Sequence, residues 1–365
     1  MMKIETSGMK MEFAYLKEKN DQPIARAVRL AHLKFSCPSL KLAKQFLIDF
    51  GLSILEEDNQ NIFFRGKNAS TYCYHLTLAA QAEFLGLALE VSSASELKKL
   101  TALPNATEIK TSSYPGGGQY IELTDPAGFT VTALYGQQYF DALPHRAALT
   151  MNLDTVQERV NETQRPPVVP AEVLRLGHVV LEVANFEETF KWYQNTFGLI
   201  ASDVQVFPDG SPSVAFMRLN LRDIPADHHT VAIAQGIFST YSHSAYEVSD
   251  LDAIGMGQRV LREKGWNHAW GIGRHILGSQ IFDYWNNPWG QKHEHYCDGD
   301  LFDASVPTGI HPISKHAMSQ WGAVMPTSFT KPHLTFQHVS ETIKHLKNTP
   351  DLTLKKMYTL AKIFM

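Results

Sequence analysis

The sequence predicts an α+β protein of four βαβββ modules, paired into two domains, each a cup-like mixed sheet flanked by helices. Three observations predict it. A strand-helix-strand-strand-strand succession of apolar periodicities occurs four times between residues 28 and 296. A stiff proline-rich run, RPPVVP at 165–170, separates the second occurrence from the third. The two halves can also be laid over one another by landmark residues of their own.

Module one opens with the strand VRLAHLKF (28–35) and a helix from Ser39 to about Phe50, with strands near 52–57, 61–66 and 71–78. Ser39 is the expected N-cap and Gly51 the expected stop, with Leu42, Phe46, Leu47 and Phe50 at helical spacing. Module two reads FLGLALEV (84–91), a capped helix SASELKKLTAL (93–103), and strands over 107–112, 119–124 and 129–135. Residues 137–173 form a linker, with a helix expected from Asn152 to about Thr163. Module three reads RLGHVVLEV (175–183), the helix FEETFKWYQNTF (186–197) stopped by Gly198, and strands near 199–207, 213–220 and 229–235. Module four reads HSAYEV (243–248), a helix over 251–265, and strands near 268–275, 280–286 and 290–296. The domains are therefore 28–136 and 174–300, with an N-terminal arm (1–27) and a tail (301–365) that has a helix expected at 338–347.

Laying RLAHLKF on RLGHVVL sets His32 opposite His178. Likewise LGLALEV on SHSAYEV sets Gly86 opposite His243, and DPAGFTVT on NPWGQKHE sets Thr132 opposite Glu294. Only the second half carries ligand-type side chains at all three positions. Side chains alternate along a strand, so Glu294 shares a face with Lys292 and Tyr296 while His293 and His295 face away. Three strands of one cup can then aim His178, His243 and Glu294 at its centre. Two imidazoles and one carboxylate form the facial set that suits Fe(II), or Mn(II), and leaves positions open. Zinc, which prefers a nearly closed tetrahedron, fits less well.

Composition excludes other classes. A net charge of −4 and the absence of a basic run give no reason to expect nucleic acid or a membrane surface as partner. No stretch approaches the ~18 apolar residues of a spanning helix. Cys37, Cys73 and Cys297 are odd in number and lack CxxC spacing, which argues against a disulfide framework and for a reducing, cytoplasmic setting.

The motifs GHVVLEV (177–183), DHHTVAI (227–233), HSAYEV (243–248), GIGRH (271–275) and FDYWNNPWGQKHEHY (282–296) resemble the type I extradiol ring-cleaving dioxygenases of the vicinal oxygen chelate superfamily. The resemblance covers roughly 28–300 and is strongest over 174–300. It implies Fe(II), less often Mn(II), bound by His178, His243 and Glu294, with O2 as co-substrate, a catechol as substrate and a homo-oligomeric state. His229 matches the family's catalytic histidine. His228 beside it is the other candidate there, because the loop to His243 is one residue shorter than in the family. His275 and Tyr284 match the groups that touch the substrate oxygens. Two alternatives are another two-His-one-Glu enzyme on this fold (4-hydroxyphenylpyruvate-dioxygenase-like, or an isomerase) and a non-catalytic small-molecule binding protein.

Overall fold

A computed structural model describes residues 11–314, 317–330, 351 and 353–364; the helix expected at 338–347 lies outside the described residues. The first half contains β1 (Ala27–Cys37), α1 (Leu40–Asp49), β2 (Ser53–Glu57), β3 (Asn61–Arg65), β4 (Tyr74–Leu78), β5 (Phe84–Val91), α2 (Ala94–Leu100), β6 (Lys110–Thr111), β7 (Gln119–Thr124) and β8 (Thr130–Tyr135). These strands form one sheet in the order β2-β3-β4-β1-β5-β8-β7-β6. Both helices start where their caps predict: Ser39 accepts from the Leu42 N–H, and Ser93 from the Glu96 N–H.

The second half contains β9 (Val173–Val183), α3 (Phe186–Phe197), β10 (Ile200–Val206), β11 (Pro212–Arg218), β12 (Ala226–Asp227), β13 (Val231–Gln235), β14 (Thr240–Val248), α4 (Leu251–Glu263), β15 (Asn267–Arg274), β16 (Ile281–Asn286) and β17 (Lys292–Cys297). Gly198 ends α3 in the left-handed conformation, at φ 74°. After β17 come three short strands, β18 (Leu301–Phe302), β19 (Gly309–Pro312) and β20 (Trp321–Gly322). The second sheet runs β19-β10-β11-β13-β9-β14-β17-β16-β15-β20, so it repeats the first with one tail strand added at each edge. The α+β fold of paired βαβββ modules is therefore as the sequence predicts.

Alternation along β9 shows how such a sheet divides its side chains. Val179, Leu181 and Val183 are buried in the apolar core, together with Phe186, Phe190 and Tyr193 of α3. His178, Val180 and Glu182 face the other way and line a cavity. The internal correspondence holds residue by residue. His178 pairs with Ala245 and Ala245 with Glu294, while in the first sheet His32 pairs with Ala88 and Ala88 with Thr132.

One reading is corrected. Residues 152–163 form no helix; Asn152 instead closes a loop on Arg159, accepting from its N–H at 2.9 Å and donating to its carbonyl at 3.0 Å. Met151, Leu153, Val156 and Val160 are exposed, so the apolar spacing there has no core to face, and a short helix without packing is marginal. Residues Met11–Lys17 form a 3-10 helix that buries Tyr15 and Leu16, the former edge-on to Phe190 at 5.5 Å.

The halves meet along α1 and β17. His295 donates from Nε2 to the Phe50 carbonyl at 2.6 Å and stacks on the Phe50 ring, centroids 3.8 Å apart. His293 Nε2 lies 3.3 Å from the Tyr74 hydroxyl, and the Trp266 indole donates to Asp49 at 3.0 Å. The linker docks on Gly51, where φ is +107° and a Cβ would lie 1.5 Å from the Ala171 carbonyl oxygen. Gly51→Ala should therefore cost roughly 2–3 kcal/mol, visible as a fall of several degrees in the thermal unfolding midpoint. An unchanged midpoint would show that this docking contributes nothing.

Candidate metal centre

The register of β9, β14 and β17 builds the site. His178 and Glu294 both pair with Ala245, one on each side, and His243 sits two residues before Ala245 on the same face. Ala245 is buried and has only a methyl group, so no side chain separates its two neighbours. The potential ligand atoms of His178, His243 and Glu294 all lie within 4.8 Å of one another. Nε2 of His178 and Nε2 of His243 are each 3.4 Å from Glu294 Oε2. Neighbouring ligands held at about 2.1 Å from one ion would be about 3 Å apart, so small side-chain adjustments suffice.

The chemistry of the donors fits a metal. Glu294 is 1% exposed, yet neither carboxylate oxygen has a hydrogen-bond partner among the described residues. A buried carboxylate left so costs several kcal/mol unless a cation meets it. Burial pushes the Glu294 carboxyl up, but the imidazoles of His178, His275 and His243 outweigh this and hold it below the usual carboxylate range. Burial lowers His243 to about 3, opposed by Glu294, so this imidazole is neutral with its lone pair free. Oxygen and imidazole donors without a thiolate suit Fe(II) or Mn(II).

The other residues singled out from the sequence gather around this face. A cavity of about 310 Å³ opens on it, lined by His178, His229, His243, His275 and Tyr284 among others. His229 lines the cavity, its ring centroid 3.9 Å from that of His178, whereas His228 lies behind it, away from the lining. Burial, then the neighbouring histidines, hold His229 well below its ordinary value, so it is neutral. His275 Nδ1 donates to the Met318 carbonyl at 2.7 Å, which leaves Nε2 to accept from the Tyr284 hydroxyl at 2.9 Å. Tyr284 pairs with Glu294 across β16 and β17, and burial together with Glu294 raises its phenol, which stays protonated. Trp266, Trp270, Trp285 and Trp289 are not among the lining residues; Trp270 stacks on Tyr284, centroids 5.7 Å apart.

The sequence left the tail without a role, and the structure gives it one. Ile313, Met318, Thr327 and Phe329 line the cavity opposite the strands, and Phe329 lies edge-on to Tyr284 at 5.0 Å. Gln205, Gln235 and Gln280 also line it. None of these stands in a periodic or ligand-type pattern that reading the chain would single out.

A family profile described as the Glyoxalase/Bleomycin resistance protein/Dioxygenase superfamily matches residues 175–292, a stretch that holds His178 and His243 and ends two residues before Glu294. Residues 175–292 therefore carry a domain of this superfamily. Metapyrocatechase 2 of Cupriavidus necator is 24% identical over 320 residues, 86% of this chain and 96% of that protein. Among solved structures, the Mn(II)-bound glyoxalase of Novosphingobium aromaticivorans aligns with a TM-score of 0.71 at 23% identity, covering 86% of this chain and 97% of that one. Homoprotocatechuate 2,3-dioxygenase of Arthrobacter globiformis aligns with a TM-score of 0.72 at 20% identity, covering 86% and 93%. At these identities the structural likeness is one of fold.

No helix among the described residues is long and apolar enough to cross a membrane. Adding Fe(II) or Mn(II) at about 100 times its Kd should stabilise the protein by about 2.7 kcal/mol, with one equivalent bound per chain. Glu294→Gln should abolish that rise in the unfolding midpoint without destabilising the metal-free protein, because a buried amide costs less than an unpaired carboxylate. Metal analysis and thermal unfolding read both.

Proposed function

We propose that this protein is an extradiol dioxygenase that cleaves a substituted catechol beside one hydroxyl and inserts both atoms of O2, using Fe(II), or Mn(II), held by His178, His243 and Glu294. The observation that carries this reading is the buried, unpartnered Glu294 carboxylate with two imidazole nitrogens at 3.4 Å, facing a largely apolar cavity. A metal on this three-residue face supplies open positions for both catechol oxygens and for dioxygen, and favours the ionised catechol.

The protein's own groups handle protons and position. His229 is neutral and lines the cavity beside His178, so it can take a proton from a catechol hydroxyl and return one to an oxygen. The Tyr284 hydroxyl gives its one proton to His275 here; turned toward the cavity it would donate that proton to an ionised catechol oxygen instead. Apolar walls such as Val180, Phe216 and Phe329 take the ring and exclude water.

The manganese-bound glyoxalase neighbour favours a second reading, an isomerase on the same site. Oxygen uptake separates the two. The anaerobically purified, metal-loaded protein should consume one O2 per catechol and give a yellow ring-opened product. His229→Ala should lower kcat about 10²- to 10⁴-fold with the metal retained, and Tyr284→Phe should lower it less. Metal binding without oxygen uptake on any catechol would overturn the dioxygenase reading in favour of the isomerase.

A further inference from the structure

A chain of hydrogen bonds runs from the cavity to the surface behind His229. Asp203 on β10 has Oδ2 at 2.7 Å from His228 Nε2 and Oδ1 at 2.7 Å from His311 Nε2. Burial alone would push Asp203 up, but the hydrogen bonds from both histidines outweigh it and bring its pKa down to about 2, so it stays ionised. A carboxylate only accepts, so both ring nitrogens must donate to it. His228 is fully enclosed, with the rings of Phe216 and Phe302 around it, and its Nδ1 lies 3.0 Å from Nδ1 of His229.

The tautomers follow from this. With a single ring proton, on the Nε2 that donates to Asp203, His228 has a bare Nδ1, which accepts. His229 must then donate from its own Nδ1. Its Nε2 is left without a proton, and that atom has no protein hydrogen bond among the described residues. The bond made by one ring nitrogen thus decides what the other can do. The arrangement is fitted at its outer end too. Gly309 on β19 faces Asp203, where a Cβ would lie 2.1 Å from Asp203 Oδ1 and 2.7 Å from His311 Nε2, so only glycine leaves room for the pair.

We infer that Asp203 and His228 are positioning residues that hold His229 in the tautomer with a bare Nε2, the form a general base needs, and that His311 and Gly309 of the tail hold Asp203 in place. The inference rests on the proposed role of His229. In that role Nε2 accepts the catechol proton while Nδ1–H stays bonded to His228.

The deciding measurement is the ¹⁵N chemical shift of His229 in the full chain, labelled at histidine and loaded with diamagnetic zinc. The wild type should show Nδ1 protonated and Nε2 bare, and Asp203→Leu should shift His229 toward the opposite tautomer. Gly309→Ala, which crowds Asp203 without touching the buried ring, should move the same signal and serves if Asp203→Leu fails to fold. A wild-type His229 protonated at Nε2, or a signal unmoved in both variants, would overturn the inference. In oxygen uptake, Asp203→Leu should lower kcat about 10- to 100-fold with KM and metal content unchanged. Asp203→Asn, which keeps an acceptor oxygen, should retain most of the activity. In a His229→Ala background, Asp203→Leu should cause no further loss; an undiminished further loss would make its role structural and overturn the inference. If the wild type cleaves no catechol, the function proposed above fails, while the tautomer measurement still decides this one.

Discussion

Everything at the centre of this molecule depends on one buried carboxylate that the polypeptide does not satisfy. Among the described residues, Glu294 has no hydrogen bond to either oxygen, in a setting almost closed to water. A charge in that position costs several kcal/mol unless it is met by an opposite one. The groups around it are arranged as if to meet a cation: imidazoles with free lone pairs on two strands, a methyl side chain between them, and a phenol that keeps its proton. Among the described residues the ion-pair partners of Glu294 are all histidines, and a lysine or arginine there would satisfy the carboxylate and close the site.

Much of this was legible because strands alternate. The run His293-Glu294-His295 reads as one residue inward and two outward, and the structure sends Glu294 to His178 and His243, which line the cavity, and the histidines to Tyr74 and Phe50. The internal repeat was legible for the same reason, since equal strand periods in the two halves put His32, Gly86 and Thr132 opposite the ligand-type residues. Residues 152–163 misled because helical spacing says nothing about whether a partner surface exists. Asp203 and His311 were invisible because they stand 108 residues apart and meet only when β19 adds to the edge of β10. No local period announces an edge addition.

The first half keeps the architecture and fills the space. His32 is packed on the ring of Tyr72 at 4.5 Å, and Phe63, His75 and Tyr114 stack beside them. Where the second half leaves a cavity, the first has interlocked aromatic rings, which bury large apolar areas with little conformational freedom to lose. One cup has become a rigid body against which the other is built.

β17 shows what that support means. Its even-numbered residue Glu294 meets the cavity-lining His178 and His243, and its odd-numbered neighbours His293 and His295 belong to the contact with the first half. A slip of one residue would exchange the two sets, so each surface fixes the register for the other. An ion bound on one side and association of the halves on the other would therefore be linked through this strand, each strengthening the other by the same free energy. The second half taken alone is consequently not a smaller version of this protein, because the strand that carries its carboxylate would have lost one of the two surfaces that hold it in register.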